Sequence, residues 1–149
     1  MSYYGTPGNA ASHSPSISGD GRYVFTSLAR NLVSGDPFDN LEDIFVRDRQ
    51  TGQTVRANIA TDGTLPNNST AYPMVSDNGR YVTFTTHATN LLPEDTDDYA
   101  DVYVYDLQTH QLVLVSVPSS GVKQSASSFL RRFRPMDATL PSYLRRLIW

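Results

Sequence analysis

No cysteine occurs among the 149 residues, which removes disulfides, thiolate metal sites and a thiol nucleophile together. No apolar run approaches the ~18 residues of a membrane span, and Met1 to Ser14 is polar and small, unlike a secretory leader. The three histidines, His13, His87 and His110, lack metal-ligand spacing and read as solvent-facing. Serine is plentiful, but no Gly-x-Ser-x-Gly elbow surrounds any copy. Basic charge is scarce over most of the chain: residues 1–128 hold 7 Lys and Arg against 14 Asp and Glu, a net of −7. That balance argues against nucleic acid as a partner of the body. Residues 129–149 reverse it, with 5 Arg against one Asp, a net of +4. At 39% hydrophobic and 18% charged residues, the composition is that of a folded chain and not a disordered one.

What the chain does have is a repeat. Ser18-Gly19-Asp20-Gly21-Arg22-Tyr23-Val24 returns as Ser76-Asp77-Asn78-Gly79-Arg80-Tyr81-Val82, 58 residues later. Asp20-Gly21 and Asn78-Gly79 favour a type I′ hairpin turn, in which both central residues need positive φ. Strand signals flank each turn, Ile17 and Val75 before it, Phe25 and Phe84 after it. Leu28-Ala-Arg-Asn31-Leu32 then matches His87-Ala-Thr-Asn90-Leu91, and an acidic loop follows in both copies. Asp43-Ile-Phe-Val-Arg-Asp48 matches Asp101-Val-Tyr-Val-Tyr-Asp106, each alternating as a half-buried strand does. A turn at Gln50-Thr51-Gly52 or Gln108-Thr109-His110 leads to a fourth strand. His110 makes its turn harder to form if positive φ is needed there. The first copy is one residue shorter after Val24, where the second has Thr83, which predicts a distorted strand in the first.

The expected architecture is therefore all-β: two four-stranded antiparallel propeller blades, an incomplete β-propeller, with an irregular C-terminal tail. The expected boundaries are a remnant of a preceding blade at 1–13, blade one at 14–69, blade two at 70–122 and a tail at 123–149. Gly8-Asn9-Ala-Ala-Ser12 echoes Asn67-Asn68-Ser69-Thr-Ala71, so the chain reads as starting at the end of an earlier unit. By repeat phase a third hairpin belongs near Ser128, yet none is spelled. Back-translation from the third base of the Phe129 codon permits Ser-Pro-Thr-Ile-Ser-Ala-Asp-Gly-Arg-Tyr-Val, and Met136-Asp137 forces the turn glycine. Residues 129–149 are thus expected to be a frameshift product. The alternative, a basic amphipathic helix around the Leu-Arg-Arg runs at 130–132 and 144–146, is interrupted by Pro135 and Pro141.

The motif Pro-x-[Ile/Val]-Ser-x-[Asp/Asn]-Gly-Arg-Tyr-Val, followed by Asp-[Ile/Val]-[Phe/Tyr]-Val-x-Asp, resembles the WD-like β-propeller repeat of TolB-type proteins over about 14–60 and 70–117. The resemblance implies a bacterial, non-enzymatic module for protein–protein interaction, in a periplasmic or extracellular setting. The alternatives are the propeller portion of a hydrolase and a calcium-dependent adhesion module. Few units cannot close a ring, so self-association or another protein partner at open blade faces is expected.

Candidate chemistry is confined to the acidic loops. Asp95, Asp97, Asp98 and Asp101, with Asp36, Asp39, Glu42 and Asp43 as counterparts, offer hard oxygen ligands suited to calcium. Against this stand the lack of EF-hand spacing and the reading of Asp43 and Asp101 as structural residues bonding backbone at a strand start. No other cofactor is expected. Paired-carboxylate catalysis is disfavoured because the acids recur in both units, as scaffold residues do. Tyr23, Tyr81, Phe25, Phe84, Phe45, Tyr103 and Tyr105 offer a carbohydrate-stacking surface, but most of them fall at matching repeat positions, so core between blades is the default reading. Tyr99 and Tyr105 lack aromatic counterparts and read as surface candidates.

Overall fold

A computed structural model describes residues 6–117 except 38 and 96; the expected frameshift segment lies outside the described residues. Eight strands follow in order: β1 (Ser12–Ile17), β2 (Tyr23–Ser27), β3 (Asp43–Arg47), β4 (Thr54–Arg56), β5 (Thr70–Val75), β6 (Tyr81–Thr86), β7 (Asp101–Asp106) and β8 (Leu112–Leu114). They form two four-stranded sheets, β1-β2-β3-β4 and β5-β6-β7-β8, each antiparallel and in chain order. The chain is all-β, with no helix among the described residues, and hence none there long and apolar enough to cross a membrane. Sheet one begins at Ser12, two residues inside the stretch expected to belong to an earlier unit.

The turns differ from the expected type. Only Gly21 (φ 85°) and Gly79 (φ 68°) are left-handed; Asp20 and Asn78 are not. The Gly21 and Gly79 amides donate to the Ser18 and Ser76 carbonyls at 3.0 and 2.8 Å. The glycine therefore follows the central pair instead of belonging to it, as when a type I turn is closed by a left-handed residue. Side-chain acceptors fix this choice: Asp20 and Asn78 each take a hydrogen bond from the serine hydroxyl two residues earlier, and Asn78 also takes the Arg80 amide at 3.1 Å.

The one-residue difference between copies is absorbed at the turn, not inside the strand. Ile17 pairs with Tyr23 in the first unit, whereas Val75 pairs with Val82 in the second. Tyr23 thus occupies the place of Val82, and β2 pairs with β3 in unbroken register. A slip of one residue in a strand would send every later side chain to the other face, while a turn accepts an extra residue at little cost.

One face of each sheet makes the core. Val24, Ile44 and Val46 of sheet one join Val82, Phe84, Tyr103, Tyr105, Leu112 and Leu114 of sheet two in one buried cluster. Phe84 and Tyr103 stack with ring centroids 5.7 Å apart. Burying such side chains is worth about 1.5–3 kcal/mol each, so this packing is the main attraction between the units. The turns also touch: the Gly19 amide donates to the Asp77 carbonyl at 2.9 Å, and Arg22 Nη1 donates to the Gly79 carbonyl at 3.1 Å. At the opposite end the Thr70 amide donates to the Glu42 carbonyl at 2.8 Å.

Tyr105 is only 4% exposed and bonds the His110 Nδ1 at 3.0 Å, which corrects its reading as a surface residue. Tyr99 is exposed as expected, at 41%. His110 adopts the same left-handed conformation as Gly52, φ 59° against 72°. Both amides donate back to the carbonyl of Asp48 or Asp106, at 2.9 and 2.8 Å. The bond to Tyr105 offsets part of the strain that the imidazole-bearing residue carries there.

Candidate functional site

The two acidic loops occupy equivalent places beside β3 and β7 and are electrostatically different. In the first unit Arg56, from β4, is buried between two carboxylates. Its guanidinium pairs with Asp36 and, at 3.0 Å, with Asp43; all three side chains are at most 6% exposed. The same guanidinium lies 5.6 Å from the Phe45 ring centroid. Two carboxylates facing one cation leave an excess negative charge away from water. Burial consequently outweighs Arg56 and holds both acids above the ordinary carboxylate range, Asp43 at about 6. Asp39 accepts the Leu41 amide at 3.0 Å, and its negative charge adds to the upward push on Asp36 and Asp43. Glu42 bonds His13 instead, at 2.8 Å.

In the second unit Leu114 takes the register position of Arg56, since Phe45 pairs with Arg56 and Tyr103 with Leu114. Asp95, Asp97 and Asp101 come together there, each with a carboxylate oxygen within 4.8 Å of the others. Asp95 and Asp101 are buried, and Asp95 accepts a hydrogen bond from the Tyr103 hydroxyl. Burial, together with that carboxylate, drives the Tyr103 pKa far above its ordinary value. These three aspartates are the residues that could hold a hard divalent cation. Asp98 is outside the group; its backbone carbonyl bonds His87 Nδ1 at 2.8 Å.

Each strand-start aspartate is linked to the strand backbone through a bridging side chain. Asp43 accepts Asn58 Nδ2 at 2.7 Å, and Asn58 Oδ1 accepts the Ile44 amide at 3.1 Å. Ser116 repeats the arrangement, donating to Asp101 at 2.6 Å and accepting the Val102 amide at 3.1 Å. Residues 58 and 116 thus clip the open end of β3 and β7. Asn58 further donates to Thr70 Oγ1 at 2.5 Å, tying unit one to the first strand of unit two.

Two recurrent features of the repeat prove to be clasps. Asn9 takes the Arg30 amide at 2.9 Å and gives its own to Asn31 Oδ1 at 3.0 Å. Asn67 does the same with Thr89 and Asn90, at 3.0 and 2.9 Å. Arg22 and Arg80 reach Asp48 and Asp106, the latter by three contacts of 2.7–3.1 Å. Asp48 and Asp106 also accept two turn amides each. Both are held below the ordinary carboxylate range: Asp48 by its turn amides and then Arg22, Asp106 by Arg80 and its turn amides against the upward push of burial.

Comparison with protein-family models and with curated proteins finds no match for the chain.

Proposed function

We propose that the chain is a non-enzymatic binding and interaction module of the TolB-like β-propeller kind, whose partner is a further unit of the same construction. One observation carries the reading. Phe84, Ala88, Leu91, Leu92 and Tyr103 of unit two pack within the core shared with sheet one. Their counterparts Phe25, Ala29, Leu32, Val33 and Phe45 form a separate cluster on the opposite face of sheet one. Among the described residues the same apolar set is thus offered twice and meets a neighbouring sheet once. Phe25 and Tyr23 are half-buried, and stacked modules of this sort gain their stability from such neighbour contacts.

Light scattering over a dilution series tests it. Association that weakens in Phe25→Glu and persists in Tyr99→Ser is the expected result; a monomer at every concentration would overturn it. A second reading, calcium-dependent adhesion, draws on the clustered oxygens of Asp95, Asp97 and Asp101. Calcium then raises the melting temperature, Asp97→Asn removes the rise and Asp98→Asn keeps it. No calcium shift in the parent chain would exclude that reading.

A further inference from the structure

We infer that Ser14 is an activated nucleophile, able to take an acyl group from a small activated carboxylic ester, with His13 as its base and Glu42 as the residue that positions the base. This property is separate from stacking between units. The side chains form a continuous relay. His13 Nε2 lies 2.8 Å from Glu42 Oε1, and His13 Nδ1 lies 3.0 Å from Ser14 Oγ. A carboxylate can only accept, so the proton of the neutral imidazole sits on Nε2. Nδ1 is then an acceptor, and the Ser14 hydroxyl donates to it, which is the polarity that removal of the serine proton requires.

Neighbouring residues of a strand normally point to opposite faces. Here the pairing of β1 with β2 shifts register between His13 and Ser16, and Ser14 has φ 51°. The bulge turns Ser14 towards the side of its neighbour, a known use of bulges beside reactive groups. Glu42 is itself held from two sides, its amide donating to Ser69 Oγ at 3.2 Å and its carbonyl accepting the Thr70 amide. His13 is 47% exposed and Ser14 is exposed, so an ester reaches the hydroxyl from solvent.

Comparison of the units separates this group from the scaffold. The bulge recurs at Tyr72, φ 54°, with the same break in pairing between Ala71 and Met74. The chemistry does not: His13, Ser14 and Glu42 correspond to Ala71, Tyr72 and Ala100. The imidazole and the carboxylate are missing in the second unit and a tyrosine replaces the serine, so the fold does not need the relay.

In the reaction Ser14 Oγ attacks the ester carbonyl carbon while its proton passes to His13 Nδ1. The bond from carbon to the leaving oxygen breaks, the acyl group stays on Ser14, and the imidazolium returns its proton to the leaving group or to water. The transfer is stoichiometric: the acyl-serine is its end product, and no turnover follows. Pro15 has no N–H, so the residue after the nucleophile furnishes no oxyanion donor. The substrate must therefore carry a good leaving group.

The probe is p-nitrophenyl acetate, followed by nitrophenolate release and by peptide mapping of the acetylated chain. Ser14→Gly deletes the hydroxyl and relieves the positive φ, so loss of folding does not obscure the result. Acetyl on Ser14 is expected, with release slowed at least about tenfold in Ser14→Gly and in His13→Gln. Glu42→Gln should slow release and move the His13 ring nitrogens in ¹⁵N spectra away from the Nε2–H tautomer. Acetylation elsewhere, or release undiminished in Ser14→Gly, would overturn the assignment of Ser14. Unchanged rate and tautomer in Glu42→Gln would overturn the role of Glu42.

Discussion

Replacing Asp43 by asparagine should make the protein more stable at neutral pH, although it deletes one partner of a buried ion pair. The substituted side chain keeps an Oδ1 in the place that receives both Asn58 Nδ2 and Arg56 Nη1. It also removes the second of two negative charges sharing one guanidinium. Burial lifts the Asp43 pKa from 3.8 to about 6, so the folded chain holds this proton more firmly than the unfolded chain does. Stability from Asp43 is then fully present below pH 3.8 and is lost as pH rises through about 6. A shift of roughly two units corresponds to about 3 kcal/mol between those limits. Asp36, also raised, pushes in the same direction. Urea unfolding followed by far-UV circular dichroism from pH 4 to pH 8 measures this directly. The parent chain should lose stability across that range, and Asp43→Asn should lose much less. The two should coincide near pH 4, with the variant ahead by about 2–3 kcal/mol at pH 8. A parent whose stability rises from pH 4 to pH 7, or a variant weaker than the parent at pH 8, would show that Arg56 and not burial governs the cluster.

Arg56→Leu copies the register partner of unit two but strands Asp36 and Asp43 without their cation, and should cost about 3–5 kcal/mol in the same assay at pH 7. Asp106→Asn should weaken the chain above pH 4, and the difference from the parent should shrink as pH falls below 3.8. The depressed Asp106 pKa supplies stability that is present above the unfolded value of 3.8 and lost as pH falls below it. Gly79→Ala places a Cβ 2.5 Å from Asp20 Oδ2, whereas Gly21→Ala meets nothing within 4 Å. Each should cost about 1 kcal/mol for the left-handed backbone, and only Gly79→Ala should also loosen the contact between turns, read as faster amide exchange at Gly19. Gly52→Ala, with only Arg47 Nη2 near at 3.7 Å, should cost about 1 kcal/mol and no more.

Much of the fold is legible in the sequence because a repeat fixes periodicity twice. Asp43-Ile-Phe-Val-Arg and Asp101-Val-Tyr-Val-Tyr alternate in step, and both are strands whose aromatic third residue is fully buried. The turn type departs from expectation for a physical reason: Asp-Gly satisfies more than one turn, and the choice is made by hydrogen bonds from Ser18 and Ser76 that leave no trace in dipeptide preferences. The candidate site is legible only in part. The acidic loops stand out as clusters of carboxylates, but Arg56 lies 20 residues from Asp36 and 13 from Asp43, and nothing local announces that it is their cation. Ser14 and His13 give no sequence signal as a pair, because adjacent strand residues should face apart and only the bulge brings them together.

The amino-acid order alone settled the repeat, the strands and the positions of the turns, since those depend on side-chain periodicity and on which residues tolerate a left-handed backbone. The tertiary structure decided which charges are neutralised, which apolar face finds a partner and which hydroxyl meets an imidazole. Those outcomes depend on distances between segments far apart in the chain, and register and packing set them only once the two sheets have come together.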